Sequence, residues 1–351
     1  MATSRDAQKS IPMTAEKIAV FGAYGHTGRF VVAELSRRGL TPVLIGRDAA
    51  KLDALRAQHP GAEAHAVGID DQVALRQALQ GAAAVINCAG PFLDTGVPLL
   101  QAALHTGAHY LDMTAEQEAA RVSFEFDAQA RERGIAIVPA MGFYGGLTDL
   151  LATWAMDDWR EADSIDIAIA LSHWHPTVGT RITGARNTYP RLVVEKGELV
   201  RLPSPPAQRE WGFPEPFGTQ ATTALPFSET ILLHRHLRSD RVSAYLNDRS
   251  LADIRDPATP PPQAVDASGR SAQTFATIVE VRRGQRLRRA HAAGGDIYAL
   301  TAPLVVEAAE RLSRMAPKPA GAYAPGQIFE AGAFLAAVSS FLTALERDSE
   351  T

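Results

Sequence analysis

Lys17-Ile18-Ala19-Val20-Phe21-Gly22-Ala23-Tyr24-Gly25-His26-Thr27-Gly28 is the stretch that decides the fold. Five strand-forming residues run straight into three glycines, and a helix-like stretch, Arg29 to Arg38, follows. Gly22 permits the tight reversal after a buried strand, Gly25 lets the backbone approach a pyrophosphate, and Gly28 lets the new helix pack closely on the strand. The free N–H groups and positive dipole end of that helix complete an anion site. The spacing is G-x-x-G-x-x-G rather than G-x-G-x-x-G, a variant that still opens a helix after a strand. Tyr24, His26 and Thr27 lie among the glycines and join them as candidate cofactor contacts.

The flanks name the cofactor. A second apolar run, Pro42-Val43-Leu44-Ile45, ends at Gly46-Arg47-Asp48, where a chain of this design meets the adenosine ribose. A carboxylate there would accept from a 2′-hydroxyl, but Gly46 offers none and Arg47 brings a guanidinium fork suited to a 2′-phosphate. The expected cofactor is NADPH (NADP+) rather than NADH. Asp48 is placed to cap the next helix.

With 351 residues, 46% of them hydrophobic and 21% charged, the chain has material for two domains with cores of their own. No segment approaches 18 uninterrupted apolar residues, so membrane insertion is not expected. Residues 1–15 are polar, lack the apolar core of a signal peptide and read as a flexible tail; a cytoplasmic location is the expectation. Cys88 is the single cysteine, which rules out an internal disulfide and a thiolate zinc cluster within one chain. The formal net charge of −4 argues against a nucleic-acid partner. The basic run Arg282 to Arg289 contains Gly284 and follows a strand-like segment, so it reads as the solvated end of a hairpin.

From residue 16 to about 160, short apolar strands alternate with amphipathic helices, the pattern of a Rossmann domain: a doubly wound parallel sheet, α/β in class. Its helices are expected at Ala49 to Gln58, Val73 to Leu79, Pro98 to Thr106 and Glu116 to Arg133, among six strands. Asp70 or Asp71 caps the helix at Val73, and Asp70 is also a candidate cofactor contact. Between 161 and 295 the texture shifts to longer strand-like runs, Ser164 to Ser172, Leu192 to Val200, Ser228 to Leu237 and Thr274 to Val281, divided by proline-rich loops. This reads as an inserted α+β domain on a mainly antiparallel sheet, serving substrate binding or homodimerisation. Residues 296–351 are expected to return to the Rossmann domain as helices, one beginning at Thr301 with Pro303 and one spanning Gln327 to Leu345.

Ligands of an open parallel sheet sit beyond the carboxyl ends of its strands, so the residues there are the site candidates. Asn87-Cys88-Ala89-Gly90-Pro91 forms a small-residue bend where a nicotinamide ribose can lie against backbone. Asp112 follows the fifth strand, where it meets substrate or instead caps the next helix. Tyr144, in the glycine-rich turn Met141 to Gly146, is a candidate proton donor or a packed aromatic. The pairs His173/His175 and His234/His236 are each spaced by two in strand-like runs and so share sheet faces. His173 is the candidate substrate-facing histidine, and no metal site is expected. Arg181 and Arg186 are candidates for clamping a substrate carboxylate or are surface charges. None of the seven tyrosines is followed four residues later by lysine, so the Tyr-x-x-x-Lys pair of classical short-chain reductases is missing.

The ordered set Gly22 to Gly28, Leu44-Ile45-Gly46-Arg47, Asn87 to Phe92, Gly107-Ala108-His109-Tyr110-Leu111-Asp112 and Tyr144 to Leu150 resembles the saccharopine dehydrogenase (reductase)-like family. The resemblance covers the first 150 residues, weakens through the middle and returns at Asp296 to Pro303. Its specific parts are Asn-Cys-x-Gly-Pro and His-Tyr-Leu-Asp, which a generic Rossmann domain does not need. Where many members follow Tyr-Leu-Asp with a Ser-Gly-Glu-like turn, this chain has Met113-Thr114-Ala115-Glu116. The resemblance implies an NAD(P)-dependent enzyme that reduces or forms C=N bonds of a small molecule. Some relatives instead reduce C=C bonds of enoyl chains. A non-catalytic NADPH-binding sensor is the reading outside enzymology.

Overall fold

The computed structural model describes residues 16–348, and the tail expected at residues 1–15 lies outside them. The first part alternates as expected: β1 (Lys17–Phe21), α1 (His26–Arg37), β2 (Thr41–Gly46), α2 (Ala49–Arg56), β3 (Glu63–Ala66), α3 (Gln72–Ala78), β4 (Ala84–Asn87), α4 (Phe92–Thr106), β5 (His109–Asp112), α5 (Gln117–Phe124), α6 (Asp127–Arg133) and β6 (Ala136–Val138). A π-type turn, Phe143–Leu147, leads into α7 (Thr148–Met156). Then come β7 (Glu161–Leu171), α8 (Val178–Arg186), β8 (Leu192–Glu195), β9 (Glu198–Arg201), β10 (Gln208–Gly212), β11 (Thr219–Ala224), α9 (Glu229–His236), β12 (Arg238–Asn247), α10 (Asp248–Arg255), β13 (Thr274–Arg283) and β14 (Arg286–Gly295). The chain continues through α11 (Ile297–Arg314), β15 (Gly321–Ala322), α12 (Pro325–Ile328), α13 (Ala331–Val338) and β16 (Leu342–Asp348).

Seven parallel strands form the first sheet in the order β15-β6-β5-β4-β1-β2-β3. The order reverses between β1 and β4, which makes the crevice above those two strand ends the place for a ligand. Asp48 and Asp71 cap α2 and α3, their side chains accepting from Lys51 N and Ala74 N. The second sheet runs β10-β11-β12-β7-β13-β14-β16, with β8 and β9 hanging from β12. It is mainly antiparallel; β12 and β7 are its parallel pair. One apolar core is continuous from Val20 and Ile86 of the first sheet, through Leu151 and Val305 of the intervening helices, to Ile167 and Val279 of the second. Burial of that area is the main force holding the two sheets to a fixed cleft. A polar tie supplements it: Arg38, the residue that caps the C-terminal end of α1, meets Glu34, Glu307 and Glu310, joining α1 to α11. Among the described residues no helix is long and apolar enough to cross a membrane.

Several sequence expectations are corrected. Ser228 to Leu237 holds a helix, Glu229–His236, rather than a strand; its continuous buried run is compatible with either, and the termini favour the helix. Its ends suit a helix, with Glu229 in the first turn and His234, Arg235 and His236 in the last. Leu192 to Val200 is a hairpin rather than one strand, its turn made by Lys196 and Gly197, both at positive φ. Gln327 to Leu345 is not one helix. Glu330 caps a fresh helix through Gly332 N and Ala333 N, and residues from Leu342 pair with β14 at the edge of the second sheet. Asp296, accepting from Tyr298 N and Ala299 N, starts α11 four residues before Thr301, leaving Pro303 inside the helix. Helix α4 begins at Phe92 rather than Pro98, directly behind the Cys88 to Pro91 bend.

Candidate functional site

A groove of about 840 Å³ crosses the carboxyl ends of β1, β2 and β4. Gly22 sits at φ +82°, and a Cβ there would lie 2.9 Å from the Ala89 Cβ. At Gly28 an added Cβ would lie 2.3 Å from the Gly22 carbonyl oxygen and 2.8 Å from that of Ala23. Glycine at 28 therefore lets α1 start against the turn, which is why Gly28 supports the groove without lining it. Gly22, Tyr24, Gly25, His26 and Thr27 line it directly. The Nε2 of His26 is buried with no partner, and burial lowers the pKa of this imidazole, Asp296 opposing and Arg29 adding to the shift.

At the β2 end the groove is lined by Arg47, Lys51 and Asp70. Tyr24 organises this end: its hydroxyl accepts from Arg47 N at 3.2 Å and Asp48 N at 3.3 Å, and Lys51 Nζ lies 5.6 Å from its ring centroid. The same ring explains Gly46, since a Cβ there would come within 2.5 Å of Tyr24 Cε1. Lys51 was not legible as a site residue from sequence alone; its position one helical turn beyond Arg47 was the available signal. Two cations at this end fit a 2′-phosphate, and the glycine cradle with its unpartnered imidazole nitrogen fits a pyrophosphate.

The bend after β4 lines the other end of the groove through Cys88, Ala89, Gly90 and Pro91. Asn87 lies beneath it, fully buried: its Oδ1 accepts from Ala89 N at 3.1 Å and its Nδ2 donates to Thr95 Oγ1 at 3.1 Å. Through these bonds it shapes the bend from below. Apolar surroundings push the Cys88 thiol above its ordinary pKa, which favours the protonated form, while the partly buried side chain still lines the groove.

Beyond this bend the groove opens into a small chamber of about 160 Å³, and Thr27, Cys88, Gly90, Thr177 and Gly179 line both. The chamber's lining carries no charged side chain. Tyr144 reaches it from the turn after β6, packed between Trp174 and Phe227 with ring centroids 5.2 and 4.3 Å away. Gly145, at φ +104°, makes that placement possible; a Cβ there would lie 2.7 Å from both Ala140 O and Ser228 Oγ. The Tyr144 hydroxyl is buried and has no hydrogen-bond partner in the protein, which leaves it able to bond a ligand group. Burial raises its pKa well above the ordinary value, assisted by Tyr298 and Glu229 and opposed by Arg191, so the phenol stays an O–H donor. Tyr298, also lining the chamber, is engaged by Trp174 Nε1, Thr177 N and Thr180 Oγ1.

The other two catalytic candidates stand elsewhere. Asp112 is buried below the chamber, its Oδ1 accepting from Thr114 N at 3.0 Å and Ala140 N at 2.8 Å, so it ties the end of β5 to the end of β6. His173 lies in the loop after β7, outside the chamber lining, bonded to Ser172 Oγ and 4.3 Å from the His175 ring. The second histidine pair is on α9, not a sheet face, and His236 Nε2 lies 2.8 Å from buried Asp149. Among the described residues no three His, Cys, Asp or Glu side chains form a cluster able to hold a metal ion. Arg181 is spent on the carbonyls of Asp256 and Thr259, and Arg186 pairs with Asp94 at 2.9 Å, bridging α8 to α4. Arg186 is thus held by a carboxylate, while Arg181 has only backbone carbonyls as partners and borders a cavity next to the chamber.

Comparison with known proteins bears on the cofactor and the fold. Residues 18–138 match the saccharopine dehydrogenase NADP binding domain, whose description carries the cofactor expected here. The human "Saccharopine dehydrogenase-like oxidoreductase" is 28% identical over 146 residues, 36% of this chain and 34% of that one. A "Probable mitochondrial saccharopine dehydrogenase-like oxidoreductase" of Arabidopsis thaliana is 30% identical over 148 residues, 38% of this chain and 33% of that one. The "Trans-acting enoyl reductase" of Mycobacterium leprae is 31% identical over 140 residues, 38% of this chain and 34% of that one. The chain thus spans about a third of the length of the curated relatives it matches. Apo saccharopine dehydrogenase (L-Glu forming) from Saccharomyces cerevisiae superposes with a TM-score of 0.69 at 12% identity, covering 95% of this chain and 100% of that one. At that identity the likeness is one of fold.

Proposed function

We propose, from a chain whose residues 18–138 carry a saccharopine dehydrogenase-type NADP-binding domain, that the protein is an NADPH-dependent oxidoreductase reducing a C=N bond of a small molecule. The observation that carries this reading is the confluence of groove and chamber, which brings an unpartnered Tyr144 hydroxyl to the end of a dinucleotide groove. Gly22, Gly25, His26 and Thr27 would hold the pyrophosphate, Arg47 and Lys51 the 2′-phosphate, and the Cys88 to Pro91 bend the nicotinamide end. Bound there, the nicotinamide supplies hydride.

The chain's own side chains do the rest. Tyr144 hydrogen-bonds the imine nitrogen and delivers a proton to it as general acid, from a phenol that burial keeps protonated; the transient phenolate recovers its proton from solvent as the amine leaves. Phe143, Trp174, Met113 and Ile297 exclude water from the chamber. An uncharged lining disfavours a preformed iminium cation and suits a neutral imine, because a charge transferred there has no counter-ion. The same apolar lining supports a second reading, reduction of an enoyl C=C bond.

The test follows nicotinamide absorbance with NADPH and a panel of cyclic imines, keto acid plus amine pairs, and enoyl thioesters. Turnover of an imine supports the first reading and turnover of enoyl thioesters alone supports the second. Tight NADPH binding with turnover of neither would identify a non-catalytic sensor.

A further inference from the structure

A second cavity, of about 390 Å³, adjoins the reaction chamber and shares Ala115, Trp174, Thr180 and Thr183 with it. Its walls are apolar where Leu225, Phe227, Leu251 and Ile254 line it. Arg191 also lines it, from just ahead of β8. Its Nη1 donates to Pro226 O at 2.6 Å and its guanidinium carbon lies 4.9 Å from the Phe227 ring centroid. Those contacts hold the side chain in place while using one of its five N–H donors. Among the described residues no carboxylate lies within ion-pair distance of it, although buried Glu229 acts on it through space; Arg186 nearby, in contrast, pairs with Asp94.

Two further polar atoms on this cavity are buried and lack partners: Glu116 Oε1 and Asn187 Oδ1. The other Glu116 oxygen accepts from Phe92 N at 3.0 Å, which fixes the carboxyl at the start of α4. Burial lifts the Glu116 pKa to about 7, so in its protonated form it donates toward an anion instead of repelling it. A positioned but unpaired guanidinium in an apolar recess is the arrangement that binds a planar anion on an apolar body.

We propose that this side cavity is a substrate subsite that takes a carboxylate, its anionic end on Arg191 and its hydrocarbon body against Leu225, Phe227, Leu251 and Ile254. The proposal rests on the reductase reading, in which the adjoining chamber holds the reacting carbon. It makes the substrate an apolar-bodied acid whose carboxylate lies remote from the bond reduced.

Calorimetric titration of hexanoate and of hexanamide, with and without NADP+, tests it. Hexanoate is expected to bind at least tenfold more tightly than hexanamide. In Arg191→Gln, loss of a charge-assisted hydrogen bond should weaken hexanoate by roughly tenfold to a hundredfold and leave hexanamide unchanged. Should that variant fail to fold, Ile254→Trp, which fills the cavity, is expected to abolish hexanoate binding while NADP+ still binds. Equal affinities for acid and amide, or hexanoate binding that survives Ile254→Trp, would overturn the subsite. Because Arg191 and Ile254 lie outside the dinucleotide groove, failure of the reductase reading would show separately, as absent NADP+ binding.

Discussion

Glu116→Gln should make the protein more stable at pH 8 than the parent, with the gain vanishing near pH 4.5. The carboxyl is 2% exposed, and its pKa moves from 4.5 to about 7, chiefly by burial; Phe92 N opposes the shift, and Asp112 and Asp94 reinforce it. The folded protein therefore keeps this proton up to pH 7, whereas the unfolded chain releases it near 4.5. Across that window the folded state binds more protons than the unfolded state, so stability falls as pH rises. A shift of about 2.5 units corresponds to roughly 3 kcal/mol lost by pH 8. Glutamine keeps an acceptor for Phe92 N and carries no ionisation to suppress. Glu229, lifted to about 7 mainly by burial, tilts both proteins alike and cancels in the difference. At about 2.1 cal/mol/K per residue, 3 kcal/mol corresponds to a Tm difference of roughly 4 °C. Urea unfolding of both proteins at pH 4.5, 6 and 8 measures it. A gain that does not change with pH, or a variant less stable at pH 8, would refute the reasoning.

Gly28→Ala should abolish NADPH binding, because the new Cβ would press to 2.3 Å from a backbone carbonyl oxygen that cannot swing away; fluorescence titration of NADPH reads it, and retained affinity would contradict the cradle. Tyr144→Phe should leave Tm unchanged or slightly raised, since the lost hydroxyl has no protein partner. The same variant should lower kcat on a turned-over imine by roughly 10²-fold or more if the phenol is the acid. A fall in Tm with unchanged kcat would reduce Tyr144 to a packing residue.

Most of the first sheet was readable because a parallel strand buried on both faces leaves a continuous apolar run, as in Ile18 to Phe21 and Ala84 to Ile86, and each is followed by turn residues. The second half was less legible. Helix α9 has five consecutive buried residues, Glu229 to Leu233, which periodicity cannot separate from a buried strand. β16 owes its conformation to the free edge of β14, a tertiary partner invisible in the local sequence. The groove residues followed from strand ends, but the reaction chamber did not: Trp174, Thr177 and Thr180 come from the loop after β7 and the start of α8, and Tyr298 joins them from the distant α11. Asp112 misled for a related reason, since a carboxylate after a strand looks alike whether it faces a ligand or, as here, two backbone N–H groups.

The central claim is that the groove recognises a 2′-phosphorylated nicotinamide dinucleotide through Arg47. Calorimetric titration of NADPH and NADH into the parent protein and into Arg47→Ala tests it most directly. The parent should bind NADPH at least tenfold more tightly than NADH, and the substitution should erase most of that preference by weakening NADPH alone, a charge-assisted contact being worth about 1.5–3 kcal/mol. No heat with either nucleotide, or equal weakening of both, would contradict it.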